Sequence, residues 1–111
     1  MAEINKMFGE EPLKNESYGK IINEKHFNRI CGQIDKNKLI FGGDSDEKSL
    51  KIEPTILENV TLDDACMKEE IFGPIMPVIS FDNIDDAIKI IRNFEKPLAL
   101  YLFSNDKKVV N

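Results

Sequence analysis

Apolar residues fall at Ile84, Ala87, Ile88 and Ile91, which is i, i+3, i+4 and i+7. That stripe predicts a helix with one apolar face. Asp82 stands where an N-cap would, and Asp85 and Asp86 favour the positive first turn. Pro97 blocks continuation. A second helical pattern runs from Ser17 as cap to about Asp35. Its stripe is Tyr18, Ile21, Ile22, Phe27, Ile30 and Ile34, weakened by Gly32. Residues 1–16 are polar and close in a turn-rich stretch, Gly9 to Glu16, holding Pro12 and Asn15.

Between and after the helices the period changes. Lys38 to Phe41 predicts a short strand stopped by Gly42 and Gly43, with a polar turn or loop from Asp44 to Ser49. Leu50, Ile52 and Ile56 alternate over Leu50 to Leu57, as in a half-exposed strand, and Pro54 marks an edge or an irregularity. Asn59 to Met67 reads as connection, with Asp63 and Asp64 as caps. Ile75 to Phe81 is nearly all apolar and predicts a buried strand. Leu98 to Phe103 is a continuous apolar run, expected of a central parallel strand covered on both faces. Strand, helix and strand from 75 to 103 make a βαβ unit with a right-handed crossover. Asn105 to Asn111 reads as the start of another helix. A strand this apolar needs a second layer, so the ending reads as a cut.

Composition narrows the classes. The chain has 111 residues, 41% hydrophobic and 32% charged, which suits one globular domain rather than a disordered tail. A net charge of −5, with lysines interspersed among acids, argues against a nucleic-acid partner. The two cysteines, Cys31 and Cys66, lack CxxC spacing, and His26 is the sole histidine. Neither a zinc site nor a secreted disulfide framework is expected, so a reducing, cytoplasmic location follows. No stretch approaches the ~18 apolar residues of a membrane span.

One segment carries chemistry of its own. Lys68-Glu69-Glu70-Ile71-Phe72-Gly73-Pro74 holds two acids, an aromatic, a glycine and a proline in seven residues. It resembles the EEIFGP signature of aldehyde dehydrogenases. Tyr18-Gly19-Lys20-Ile21-Ile22-Asn23, His26-Phe27-Asn28-Arg29 and Lys96-Pro97-Leu98-Ala99-Leu100-Tyr101-Leu102-Phe103-Ser104 look like the class 3 branch. Gly42-Gly43 and Ile52-Glu53-Pro54-Thr55-Ile56-Leu57 lie between them in the family's order. The resemblance spans roughly Phe8 to Val110.

The resemblance implies an α/β fold: part of the open parallel-sheet catalytic domain of an aldehyde dehydrogenase, with helices on both faces. It implies oxidation of aldehydes, long-chain or aromatic in the family's usual case, to carboxylic acids. A cysteine thiolate attacks the aldehyde, hydride passes to NAD or NADP, and a water activated by a glutamate releases the acid. It places Glu70 on the hydroxyls of the nicotinamide ribose and Phe72 beside the same part of the cofactor. A carboxylate accepts two hydroxyl donors at once, which suits a positioning role.

Each residue also has a plainer reading. Paired glutamates ordinarily lie on a solvated face, and Glu69 reads so. Phe72 alone would be core, and Gly73-Pro74 alone a turn. Gly42-Gly43 reads as a turn, because no phosphate-loop motif surrounds it. The flanks of Cys31 and Cys66 do not advertise an activated thiol. His26, at the border of an apolar stripe, reads as a hydrogen-bonded structural residue. The expected departures from the family are large: dinucleotide-binding domain, nucleophile, general-base glutamate, C-terminal glycine-rich segment and oligomerisation strand all lie outside the matched motifs. Residues 1–111 are therefore expected to be a partial catalytic domain, inactive alone. The alternatives are a free-standing α/β binding or interaction module, whose exposed apolar sheet would be covered by self-association through its edges or by a partner, and an unrelated acidic α/β domain with a chance signature.

Overall fold

The computed structural model describes residues 1–93 and 100–106. The chain divides into two units, Met1–Ile79 and Ser80–Asn111. In the first unit, helix α1 (Ala2–Phe8) precedes a one-turn 3-10 helix at Pro12–Lys14, helix α2 (Glu24–Cys31) and strands β1 (Leu39–Phe41), β2 (Ser45–Asp46), β3 (Lys51–Ile52) and β4 (Thr55–Leu57). A second 3-10 turn (Ala65–Met67) and strand β5 (Ile75–Pro77) follow. Among the described residues of the second unit, helix α3 (Ile84–Arg92) is the regular element.

The main sheet is mixed, in the order β1-β4-β5. β4 and β5 are parallel, pairing Thr55 with Ile75 and Leu57 with Pro77, whereas β1 runs antiparallel to β4 through an irregular register. Pro77 cannot donate to a ladder, and among the described residues it sits on the edge of the sheet. The strand expected over Leu50 to Leu57 is two strands in two sheets, since β3 pairs with β2 instead. The break falls at Glu53-Pro54, the irregularity that Pro54 announced. β2 lies inside the expected loop 44–49, too short and polar to show any alternation.

The α2 helix is shorter than its stripe suggested. Asn23, not Ser17, caps it, its Oδ1 accepting from His26 N–H at 2.9 Å. Residues 18–22 are drawn out of helix by longer-range bonds. Ile21 N–H donates to Leu50 O at 2.7 Å, and Tyr18 hydroxyl to Ile52 O at 2.6 Å. Both bonds reach across to the 50–52 segment, and the first takes the backbone N–H that a helix capped at Ser17 would bond to Ser17 O. The polar first 16 residues hold α1, whose Phe8 ring meets Tyr18 edge-on at 4.9 Å. The core gathers Ile21, Phe27, Ile30, Ile52, Leu57, Val60, Cys66 and Ile75. Phe27 and Ile30, three apart, form the buried face of α2.

Downstream, the buried strand expected over Ile75 to Phe81 is three residues long, and Met76 and Phe81 are exposed. The α3 helix stands where its stripe predicted, but Asn83 rather than Asp82 caps it, accepting from Asp86 N–H at 3.1 Å. The expected strand 98–103 falls partly outside the described residues. Its described part, Leu100 to Phe103, is exposed and not a strand, so no second βαβ strand occurs among the described residues. Pro97 and residues 107–111 of the expected last helix lie outside the description, and Asn105 and Asp106 are not helical.

Candidate functional site

The Lys68–Pro74 segment is a loop between the Ala65–Met67 turn and β5. Both ends are anchored: Cys66 is buried at one, and at the other Thr55 N–H donates to Pro74 O at 2.8 Å, immediately before Ile75 joins β4. Between these anchors Glu70 is exposed. Its carboxylate makes no ion pair or hydrogen bond among the described residues. Phe72 is 77% exposed. Its φ is +51°, a left-handed conformation that costs a bulky residue about 1–3 kcal/mol and persists only where surrounding structure imposes it.

The α2 helix contacts the loop on both sides of Phe72. Arg29 Nη2 donates to Ile71 O at 2.8 Å, and Nη1 to Glu70 O at 3.3 Å and to Glu69 Oε1 at 3.2 Å. Arg29 Nε donates to His26 Nδ1 at 3.2 Å, one turn back on the same helix. Gly73 rests on Ile30 so closely that a Cβ there would come within 2.8 Å of Ile30 Cδ1. Successive residues of α2, Arg29 and Ile30, thus hold the two halves of the loop.

The arrangement supports a binding role. A fixed backbone presents one acceptor-only carboxylate and one aromatic ring to solvent two residues apart. Such a pair fits a ligand group carrying hydroxyls beside a flat ring or sugar face. The sequence singled out both residues, and the structure puts them on one exposed loop. Glu69, read as surface, is half-exposed and spent on Arg29. Arg29 belongs to a motif of the resemblance but carried no role there. Its work depends on partners 40 to 42 residues away, which no local pattern displays.

The remaining candidates take structural places. His26 accepts from Arg29, as its position suggested. Both cysteines are free, and among the described residues no cluster of His, Cys, Asp or Glu could hold a metal. Burial pushes the Cys66 thiol up, and the negative charge of Asp64 adds to this. Asp64 is held below the usual carboxylate range by hydrogen bonds from the Lys38 ammonium and the Thr61 amide. Gly42 and Gly43 turn the chain after β1 at φ +74° and +101°. Gly43 N–H donates to Thr55 Oγ1, and a Cβ on Gly42 would strike Pro54 O at 2.0 Å.

The profile of the aldehyde dehydrogenase family matches residues 2–111. The chain belongs to the aldehyde dehydrogenase family. It is 46% identical over 107 residues to the dimeric NADP-preferring aldehyde dehydrogenase of Mus musculus, covering 96% of this chain and 24% of that protein. It is 40% identical over 111 residues to aldehyde dehydrogenase family 3 member H1 of Arabidopsis thaliana, covering 96% and 23%. The class 3 likeness read from separate motifs therefore holds along the chain. The substrate-bound structure of Staphylococcus aureus AldH superposes with a TM-score of 0.92 at 40% identity, over 98% of this chain and 24% of that one. The α/β segment described above is thus an aldehyde dehydrogenase fold, and the chain spans about a quarter of the length of the relatives it matches.

Proposed function

We propose that residues 1–111 form part of the catalytic domain of a class 3-like, NAD- or NADP-dependent aldehyde dehydrogenase that oxidises aldehydes to carboxylic acids. The segment's share of that work is to hold the nicotinamide ribose. Glu70 would accept hydrogen bonds from the ribose hydroxyls, and Phe72 would pack beside the same part of the cofactor. The observation that carries this reading is a backbone-pinned loop with an unpaired carboxylate and a 77% exposed aromatic two residues apart. The fit is chemical: two hydroxyl donors need an acceptor with no competing partner, and Glu70 has none among the described residues. The bound dinucleotide supplies the hydride acceptor. The protein's part would be geometry: Glu70 and Phe72 would hold the ribose and so limit the positions open to the nicotinamide ring. The nucleophilic thiolate, the general base and the dinucleotide-binding domain belong to sequence beyond these residues in this reading, and the location is cytoplasmic.

A titration of the 15N-labelled chain with NAD+, followed by amide NMR, tests the reading. Shifts confined to the surroundings of Glu70 and Phe72 are expected. Glu70→Gln, which trades an acceptor oxygen for a donor, should weaken them by about tenfold. Dispersed spectra that ignore NAD+ would overturn the cofactor reading. They would favour an interaction module, a reading supported by the exposure of Tyr101 and Phe103, at 78% and 92%.

A further inference from the structure

We infer that Arg29 is a positioning residue for the cofactor-facing loop: through its guanidinium, α2 sets the direction in which Glu70 and Phe72 point. The inference rests on the reading of that pair as the ribose-facing groups.

The argument is geometric. A guanidinium carries five N–H donors in one plane and cannot bend. Here three of its nitrogens are engaged on three sides. Nη1 and Nη2 hold the carbonyls of Glu70 and Ile71, which are consecutive in the chain. Fixing two consecutive carbonyls fixes two peptide planes. The first sets where the Glu70 side chain leaves the backbone, and the second leads into Phe72 at φ +51°. Nε is held by His26 Nδ1, so the fork cannot swing about its own stem. His26 in turn lies in the first turn of α2, its N–H bonded to the Asn23 cap. A connected series therefore runs from the cap of α2 through His26 and Arg29 to the loop. The ion pair with Glu69 adds little, since that carboxylate is half-exposed and water screens the attraction. The two carbonyl bonds are the part that a lysine cannot copy: an ammonium is a point donor on a flexible stem.

The test uses 15N relaxation on the full 111-residue chain, with Arg29→Gln and Arg29→Lys. In the native chain the amides of Glu70, Ile71, Phe72 and Gly73 should show order parameters of about 0.85. In both variants they should fall below about 0.6, while Phe27, Ile52 and Leu57 keep native values. NAD+ is then the probe. Half-saturation of the Glu70 and Phe72 shifts should need at least about tenfold more NAD+ in Arg29→Lys, because a loosened loop must be ordered on binding. A loop that stays rigid in Arg29→Lys overturns the inference. So does a loosened loop with unchanged NAD+ response. Should Arg29→Gln fail to fold while Arg29→Lys matches the native chain in both readouts, Arg29 is merely structural and the inference fails. If the loop loosens but NAD+ perturbs nothing even in the native chain, Arg29 is upheld as the loop's clamp. The ribose reading of Glu70 and Phe72 is then what has failed.

Discussion

Tyr18 joins two parts of the first unit with one side chain. Its ring packs against Phe8 of α1 and its hydroxyl donates to Ile52 O inside the core. Burial, with the nearby Glu53 carboxylate adding to it, raises the phenol from the ordinary 10.0 to about 12. The folded chain therefore keeps this proton when the unfolded chain has already lost it. The contribution is whole below pH 10.0 and is lost as pH rises through about 12. A rise of that size corresponds to at most about 2–3 kcal/mol of stability. Tyr18→Phe should cost about 1 kcal/mol at neutral pH by deleting the hydrogen bond. It should also flatten the fall in stability between about pH 10 and about pH 12, measured as urea midpoints across that range. An unchanged alkaline slope in Tyr18→Phe would mean that other groups carry it. At this scale the candidates Glu70 and Phe72 were marked in the sequence because the signature is contiguous. Arg29 was not, because its two carbonyl partners are created by the tertiary fold.

Elements were legible where local and distant preferences agree. The α3 helix has a stripe, an Asx cap and two first-turn acids close together in sequence, and its cap lies one residue from the expected one. The α2 helix has a stripe that runs on past both of its ends. Tyr18 and Ile21 belong to that stripe by spacing, yet they are buried by the 50–52 segment. Periodicity groups these positions but does not say what buries them, and Ile22 of the same stripe is 82% exposed. β2 and β3 were unreadable for a different reason: two residues cannot show alternation, and their pairing is closed by the 47–50 turn, where Leu50 N–H donates to Glu47 O. The start of α2 is therefore the point to test. Asn23→Ala should destabilise the chain by about 1 kcal/mol, and Asn23→Gly by only a few tenths, because glycine tolerates the extended cap geometry. Thermal denaturation of the pair checks this. Equal losses would mean that the Asn23 side chain acts through packing and not as the cap.

For the whole molecule, the question is whether these residues can carry the covalent step that their family performs. That step needs a thiolate that an aldehyde can reach. Cys66 is 3% exposed, and both burial and Asp64 act against its ionisation. Cys31 is only partly exposed on α2, its thiol facing Ser45 Oγ at 3.7 Å, and a serine hydroxyl is no base for it. Glu70, the group proposed for cofactor contact, is a carboxylate exposed to solvent, and neither cysteine lies in its loop. The proposed cofactor contact and any attack on an aldehyde would therefore fall to different parts of the enzyme. The purified 111-residue chain should accordingly form no NADH or NADPH in the presence of an aldehyde. The rate should match that of a Cys31→Ser, Cys66→Ser double variant. Turnover that the double variant loses would place a working nucleophile within these residues, and one of the two thiols would then have to leave its buried or hydroxyl-facing position to react.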